Sequence, residues 1–392
     1  MSDMTRYTTG WNYPASILTG VGRIGELPTA CRELGMRSPL LVTDPGLAAL
    51  PMVGEALEHC RAEGLSAEVF SRIKGNPTGA NVIEGVDAFR QGGHDGVIAF
   101  GGGSGLDAAK AIALMANQRE SLSLWSLEDS GDNWKNADAD AIVPVVAVPT
   151  TAGTGSEVGR ASVITDESAQ VKRIIFHPGM VPARVILDPE LTTGLPPAVT
   201  AATGMDALSH CLEAWCAPGY HPMAEGIAVE GMRRVRDYLP RAYAHGDDLE
   251  ARLNMLVASS MGATAFQRGL GAMHALAHPL GALYDAHHGT LNAVLMPYVL
   301  KANERAIGEP MVRLARYLDL RQPGTSAVID WVLDMRERLA IPKNLASLGI
   351  DEAQAEKVGQ MAVADPSSAG NPIEFDAEGY RRIFLAALHE QM

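Results

Sequence analysis

The chain's 392 residues exceed what one hydrophobic core usually organises and suit two domains. Hydrophobic residues at 47% with 20% charged describe an ordinary globular protein, and a formal net charge of −14 argues against a nucleic-acid backbone or an anionic membrane as partner. The opening MSDMTRYTTGWNYP has no apolar core of signal-peptide length, and the longest apolar stretch, around residues 141–148, is too short for a bilayer. Cys31, Cys60, Cys211 and Cys216 form no CxxC pair and read as packed, reduced thiols, so the expected compartment is the cytoplasm.

In chain order, the first half alternates apolar Val/Ile runs with helical patterns. PLLVTD at 39–44, GVIAF at 96–100, VPVVAV at 143–148 and RVILD at 184–188 read as buried strands, with helices over 80–91 and 104–117. This alternation predicts an α/β domain with a mainly parallel sheet and helices on both faces, over residues 1–190. The polar stretch 128–140 reads as a surface excursion, and the Pro- and Gly-punctuated stretch 188–197 as a hinge. Beyond it the strand signal stops. Residues 198–217, 222–239, 248–266, 290–305, 325–339 and 376–391 carry apolar residues at helical spacing, which predicts an all-α domain over 191–392.

FGGGSGLD at 100–107 leaves a strand and opens a helix, so backbone amides and the helix N-terminus can approach a pyrophosphate. It is not a GxGxxG fingerprint, because Leu106 stands where the third glycine would. The plain alternative is a glycine-rich turn with no ligand. A second loop, VPTTAGTGSE at 148–157, also leaves a strand and adds hydroxyls and glycines, and two such loops are what a dinucleotide needs. Asp44, at the end of a strand, can accept from an adenosine ribose and would repel a 2′-phosphate, favouring NAD over NADP; a turn residue before Pro45 is the simpler alternative.

The helical half concentrates metal-ligand chemistry. TGMDALSH places Asp206 and His210 at i and i+4 on one helical face, and GLGAMHALAHP repeats that spacing with His274 and His278. YDAHHG adds His287 and His288. Carboxylate and imidazole together suit Fe(II), Zn(II) or a related ion with a position open for substrate. A lone histidine is more often a hydrogen-bonded core or surface residue, but two helical pairs in so short a region ask for a shared purpose. Spacing alone leaves the choice among His274, His278, His287 and His288 open.

These pieces together resemble the iron-containing (group III) alcohol dehydrogenases. The matching segments, at 101–110, 149–157, 204–210, 269–281, 287–289 and 371–372, occur in family order across nearly the whole chain. The resemblance implies the dehydroquinate-synthase-like fold and Asp206, His210, His274 and His288 as metal ligands, for Fe(II) or for Zn(II) or another divalent ion. It implies His278 as a non-ligand histidine at the reacting centre. It implies Asp44, Asn76, Gly102, Gly103, Ser104, Asp107, Thr150, Thr151, Thr154 and Lys172 as NAD-binding residues. The expected activity is hydride transfer between NAD(H) and a small alcohol or aldehyde, in a homodimer or larger homo-oligomer. Rivals are a maleylacetate-reductase-like enzyme for an acidic substrate, a dehydroquinate-synthase-type lyase, a metal-dependent hydrolase and a non-catalytic binder. The chain departs from the common family form at Arg160-Ala161-Ser162 and at 265–271, one residue shorter, both bordering the expected substrate pocket. Phe266, Leu270, Met273 and Tyr284 are candidates for an apolar wall.

Overall fold

The computed structural model describes residues 15–169 and 171–392. The opening MSDMTRYTTGWNYP, on which the expectation about export rests, lies outside the described residues, as does Gln170. The described residues form two compact units, one ending at Gly194 and the other starting at Leu195.

In the first unit, β1 (Ser16–Thr19), β2 (Pro39–Val42), β3 (Glu68–Phe70), β4 (Gly96–Gly101), β5 (Val145–Pro149) and β8 (Arg184–Leu187) pair in one parallel sheet, in the order β1-β8-β5-β4-β2-β3. Strands β2, β4 and β5 are buried throughout, as a sheet covered on both faces demands, which is why their sequences are unbroken apolar runs. The edge strands β1 and β3 were not legible because they are short and partly exposed. A separate antiparallel pair, β6 (Ala161–Asp166) and β7 (Val171–Phe176), was also missed, although β6 alternates buried and half-buried residues with the period of a strand. The stretch 128–140 contains no buried residue and is pinned to β7 by the Asp129 amide donating to the Ile174 carbonyl (2.7 Å) and by a Glu128–Arg173 ion pair (2.6 Å).

The helices of this unit are α1 (Leu27–Glu33), α2 (Pro45–Ala48), α3 (Pro51–Ala62), α4 (Gly79–Gln91) and α5 (Gly103–Met115). From β2 the chain moves outward to β3, whereas from β4 it moves the other way to β5. Strand order therefore reverses between β2 and β4, the place where open α/β sheets hold ligands at their carboxyl edge.

The second unit is helical: α6 (Pro197–Cys216), α7 (Pro222–Ala244), α8 (Leu249–Ala265), α9 (Ala272–Tyr284), α10 (His288–Tyr317), α11 (Thr325–Arg338), α12 (Ala355–Ala364) and α13 (Ala377–His389). Helix α10 outruns its expected end and passes through Pro310, because Ile307, Met311, Leu314 and Ala315 continue a buried face that outweighs the lost backbone bond. Helix α12 had not been expected.

Helix α6 is the core of this unit, buried without a break from Met205 to Trp215. Its neighbours reach it through glycines. A Cβ at Gly262 of α8 would sit 3.0 Å from the His210 Cβ, and one at Gly289 of α10 would collide with the Ala202 carbonyl oxygen. The backbones of α8 and α10 thus close directly onto the face of α6 that carries Asp206 and His210. Among the described residues, no helix is long and apolar enough to cross a membrane.

Candidate metal centre and dinucleotide loops

Asp206 and His210 lie one turn apart on α6, and His274 projects from the first turn of α9. All three are buried, and one ligand atom from each falls within 4.8 Å of the other two. The His210 and His274 rings stack at 4.8 Å between centroids. His288, the first residue of α10, brings Nε2 to 3.7 Å from Asp206 Oδ1 and is the most exposed of the four, its side chain 34% accessible. Burial pushes the Asp206 carboxyl up, but charge on His210, His288 and His274 and a hydrogen bond from Asn292 more than offset it, holding the group at about 2. One carboxylate and three imidazoles on three helices fit a divalent first-row ion, with the exposed side of His288 as the approach for a further ligand.

Sequence reasoning passed over two residues that contact this set and a third that contacts the neighbouring His278. Glu213, at i+7 from Asp206 on the same face of α6, accepts from His274 Nδ1 at 2.6 Å and from the Gly271 and Met273 amides at 2.8 and 2.7 Å. Burial pulls the His274 pKa down, yet the bond and charge of Glu213 raise it overall. A donating Nδ1 leaves Nε2 as the lone pair facing Asp206, the carboxylate–histidine arrangement that fixes a ligand's tautomer. The i, i+4, i+7 spacing was a readable signal for Glu213. Asn292, one turn beyond His288, is the second. Asp365 is the third: its Oδ2 lies 2.8 Å from His278 Nδ1, across 87 residues of sequence that carry no hint of the pairing. Burial raises the Asp365 carboxyl, but His278 and Ser367 together keep it below the usual carboxylate range. His278 stacks on His288 with ring centroids 5.4 Å apart and lies edge-on to His274 at 5.9 Å.

Substituting Glu213→Gln keeps the shape and removes the charge. We expect divalent-metal affinity to fall about 10–100-fold, measured by competition with a calibrated chelator. Unchanged affinity would remove Glu213 from the centre.

The remaining helical-half residues sort by contact. Phe266 packs edge-on against His210 at 5.1 Å, so it walls the centre, whereas Met273 is buried core. Tyr284 reaches Asp351 O at 3.4 Å. His287 precedes α10 from an exposed position without a capping hydrogen bond, whereas His221 caps α7 by accepting from the Ala224 amide. Burial pushes the Cys211 and Cys216 thiols up to about 12, in keeping with packing roles. In the segment 265–271, Arg268 donates to the carbonyls of Ala214, Trp215 and Gly219, closing the carboxyl end of α6.

In the first unit, the loops after β4 and β5 leave the sheet side by side, joined by the Thr150 amide donating to Gly101 O at 2.9 Å. Gly101 has φ 145°, a conformation reserved for glycine. A Cβ at Gly102 would meet Thr151 Oγ1 at 3.2 Å, and one at Gly103 would meet Thr154 Oγ1 at 2.5 Å and its Cβ at 3.0 Å. The glycines of one loop and the threonines of the other are therefore a fitted pair. No side chain caps the start of α5, and Ser104 donates to the Gly75 carbonyl. Asp44 caps α2 through Oδ1, which accepts from the Leu47 amide at 2.9 Å, at the edge where strand order reverses. Lys172 Nζ meets Asn76 Oδ1 at 2.9 Å, joining two residues 96 apart in sequence.

Asp107 turns into the protein. Its carboxylate accepts from Ser156 Oγ at 2.5 Å and the Val163 amide at 2.9 Å, and lies 3.3 Å from Lys110 Nζ. Lys110 is buried, which pulls its pKa down against the opposing charges of Asp107 and Glu157, and it donates to the Ala161 carbonyl. The first loop's helix thereby anchors the far end of the second loop, where it runs into β6.

Residues 14–189 match the family model described as iron-containing alcohol dehydrogenase, and residues 200–388 match that of the Fe-containing alcohol dehydrogenase family, C-terminal. The chain is 41% identical to 4-hydroxybutyrate dehydrogenase of Cupriavidus necator, over 95% of this chain and 97% of that one. It is 36% identical to the NAD-dependent methanol dehydrogenase of Bacillus methanolicus, over 96% and 98%. The crystal structure of sulfoacetaldehyde reductase from Bifidobacterium kashiwanohense in complex with NAD+ superposes with a TM-score of 0.87 at 28% identity, over 97% and 98%. With two family models spanning both units and relatives of this identity over its whole length, the chain belongs to the iron-containing alcohol dehydrogenase family and is an oxidoreductase.

Proposed function

We propose that this protein interconverts small alcohols and their aldehydes or ketones, passing a hydride to or from NAD at a metal centre built from Asp206, His210, His274 and His288. The observation that carries this reading is the buried convergence of one carboxylate and two imidazoles within 4.8 Å, with a third imidazole beside them. A divalent ion there, Fe(II) or Zn(II), supplies Lewis acidity toward the substrate oxygen, and NAD supplies the hydride acceptor.

The chain's own residues do the rest. Glu213 holds the His274 tautomer. The fitted loops after β4 and β5 hold the pyrophosphate through backbone amides and the open start of α5, with Gly102, Gly103, Ser104, Thr150, Thr151 and Thr154 lining them. Asp107 and Lys110 act at one remove, keeping the second loop in shape. Asp44 receives the adenosine ribose and disfavours a 2′-phosphate. Lys172 and Asn76 form the other polar pair of this half. Oxidation of an alcohol also releases a proton. With Nδ1 bonded to Asp365, His278 has Nε2 as the atom to accept it. The negative charge and the free cysteines suit a cytoplasmic protein, and the assembly we expect is a homodimer or larger homo-oligomer.

The test is a substrate panel on metal-stripped protein reloaded with Fe(II) or Zn(II), using methanol, 1,3-propanediol, 4-hydroxybutyrate and the matching aldehydes with NAD(H) and NADP(H). We expect metal-dependent turnover that prefers NAD. Net NADH consumption with an aldehyde separates this reading from a lyase that uses NAD transiently. Absence of turnover with every pairing would overturn it.

A further inference from the structure

Three of the four proposed ligand atoms converge on one amide group. Asn292 sits one turn after His288 on α10 and is fully buried, at 0% exposure. Its Nδ2 lies 2.9 Å from Asp206 Oδ1, 3.3 Å from His274 Nε2 and 3.2 Å from His288 Nε2. Its Oδ1 is buried and makes no hydrogen bond among the described residues. A buried asparagine serving the fold satisfies both ends of its amide, because an unpaired buried carbonyl is costly. Here one end is left unpaired and the other is committed to metal-ligand atoms from α6, α9 and α10.

We propose that Asn292 is a positioning residue of the metal centre, whose amide nitrogen sets Asp206, His274 and His288 in their binding rotamers before the ion arrives. The chemistry is that of a placeholder. The amide hydrogens of Nδ2 are attracted to the same lone pairs that would hold the ion. Without them, the Asp206 carboxylate and the His288 ring, only 3.7 Å apart, are free to close on each other as an ion pair and turn their lone pairs away from the common point. This role rests on the metal reading, deepens it, and is separable from it by experiment.

The experiment compares the full-length protein with Asn292→Leu, which keeps the branched skeleton with methyl groups in place of the amide, and Asn292→Ser, smaller but still a donor. Melting is followed by circular dichroism with and without Co(II), Co(II) affinity by chelator competition, and the ligand field by the visible Co(II) spectrum. In Asn292→Leu we expect the metal-free melting temperature to hold or rise, since the unpaired carbonyl is gone. Co(II) affinity should fall about 10-fold or more, the metal-induced rise in melting temperature should shrink, and the visible bands should change. Asn292→Ser should recover part of the affinity. A lowered metal-free melting temperature with unchanged Co(II) affinity, or failure of both variants to fold, would show a structural residue and overturn the proposal. Failure of the unsubstituted protein to bind Co(II) would instead overturn the metal reading itself.

Discussion

Asp206→Asn is expected to empty the metal centre while leaving NADH binding intact. The substitution keeps the size and the helix but removes the only anionic member of the set, leaving three imidazoles and no carboxylate for a divalent ion. The histidines and Asn292 around Asp206 hold its carboxyl below the usual carboxylate range against the effect of burial, so the substitution removes a charge. Loss of an orienting partner typically costs 10–100-fold in affinity, and loss of a charged ligand should reach on the order of 100-fold or beyond. Alcohol oxidation should fall at least in proportion. The dinucleotide loops belong to the other compact unit, so a fluorescence titration with NADH should give a dissociation constant within about twofold of the unsubstituted protein. Metal content by elemental analysis together with that titration checks both halves. Full metal content in the variant would strike Asp206 from the ligand set, and loss of NADH binding would point to general misfolding.

The second large effect belongs to the loops. Gly103→Ala places a methyl group 2.5 Å from Thr154 Oγ1 and 3.0 Å from its Cβ, so the threonine backbone has to move. Gly102→Ala meets only Thr151 side-chain atoms at 3.2 Å or more, and a small rotation relieves it. We therefore expect Gly103→Ala to weaken NADH binding about 10-fold or more, in the range of 1–3 kcal/mol for forced repacking. Gly102→Ala should weaken it only a few-fold. Metal content should be normal in both. Equal effects, or a larger effect at Gly102, would mean that the glycines serve direct approach of the pyrophosphate and not the fit between loops.

The amino-acid order was most legible where one residue type repeats at a fixed interval. Strands β2, β4, β5 and β8 and most helices of the second unit announce themselves by apolar period, because burial on two faces or on one stripe leaves no other pattern. The pairs Asp206/His210 and His274/His278 are legible for the same reason: four residues make one helical turn. What the chain order by itself determined is therefore local. It specified α/β followed by α, two glycine loops and a histidine cluster, and through family resemblance it separated His288 from His287.

Contacts across long stretches of sequence were decided only by tertiary structure. Asp365 reaches His278 over 87 residues and Lys172 reaches Asn76 over 96, and no local rule connects either pair. Asp107 carries the same sequence signal whether it faces a cofactor or the Ser156 hydroxyl; only the packing of α5 against the second loop turns it inward. The metal centre opened as a set of histidines with helical spacing. The fold added what spacing cannot encode: Glu213 behind His274, Asn292 beside Asp206, His274 and His288, and glycines that let α8 and α10 close on α6. Period lies in the order of residues along one element, whereas a ligand's orientation comes from the neighbours that other elements bring to it.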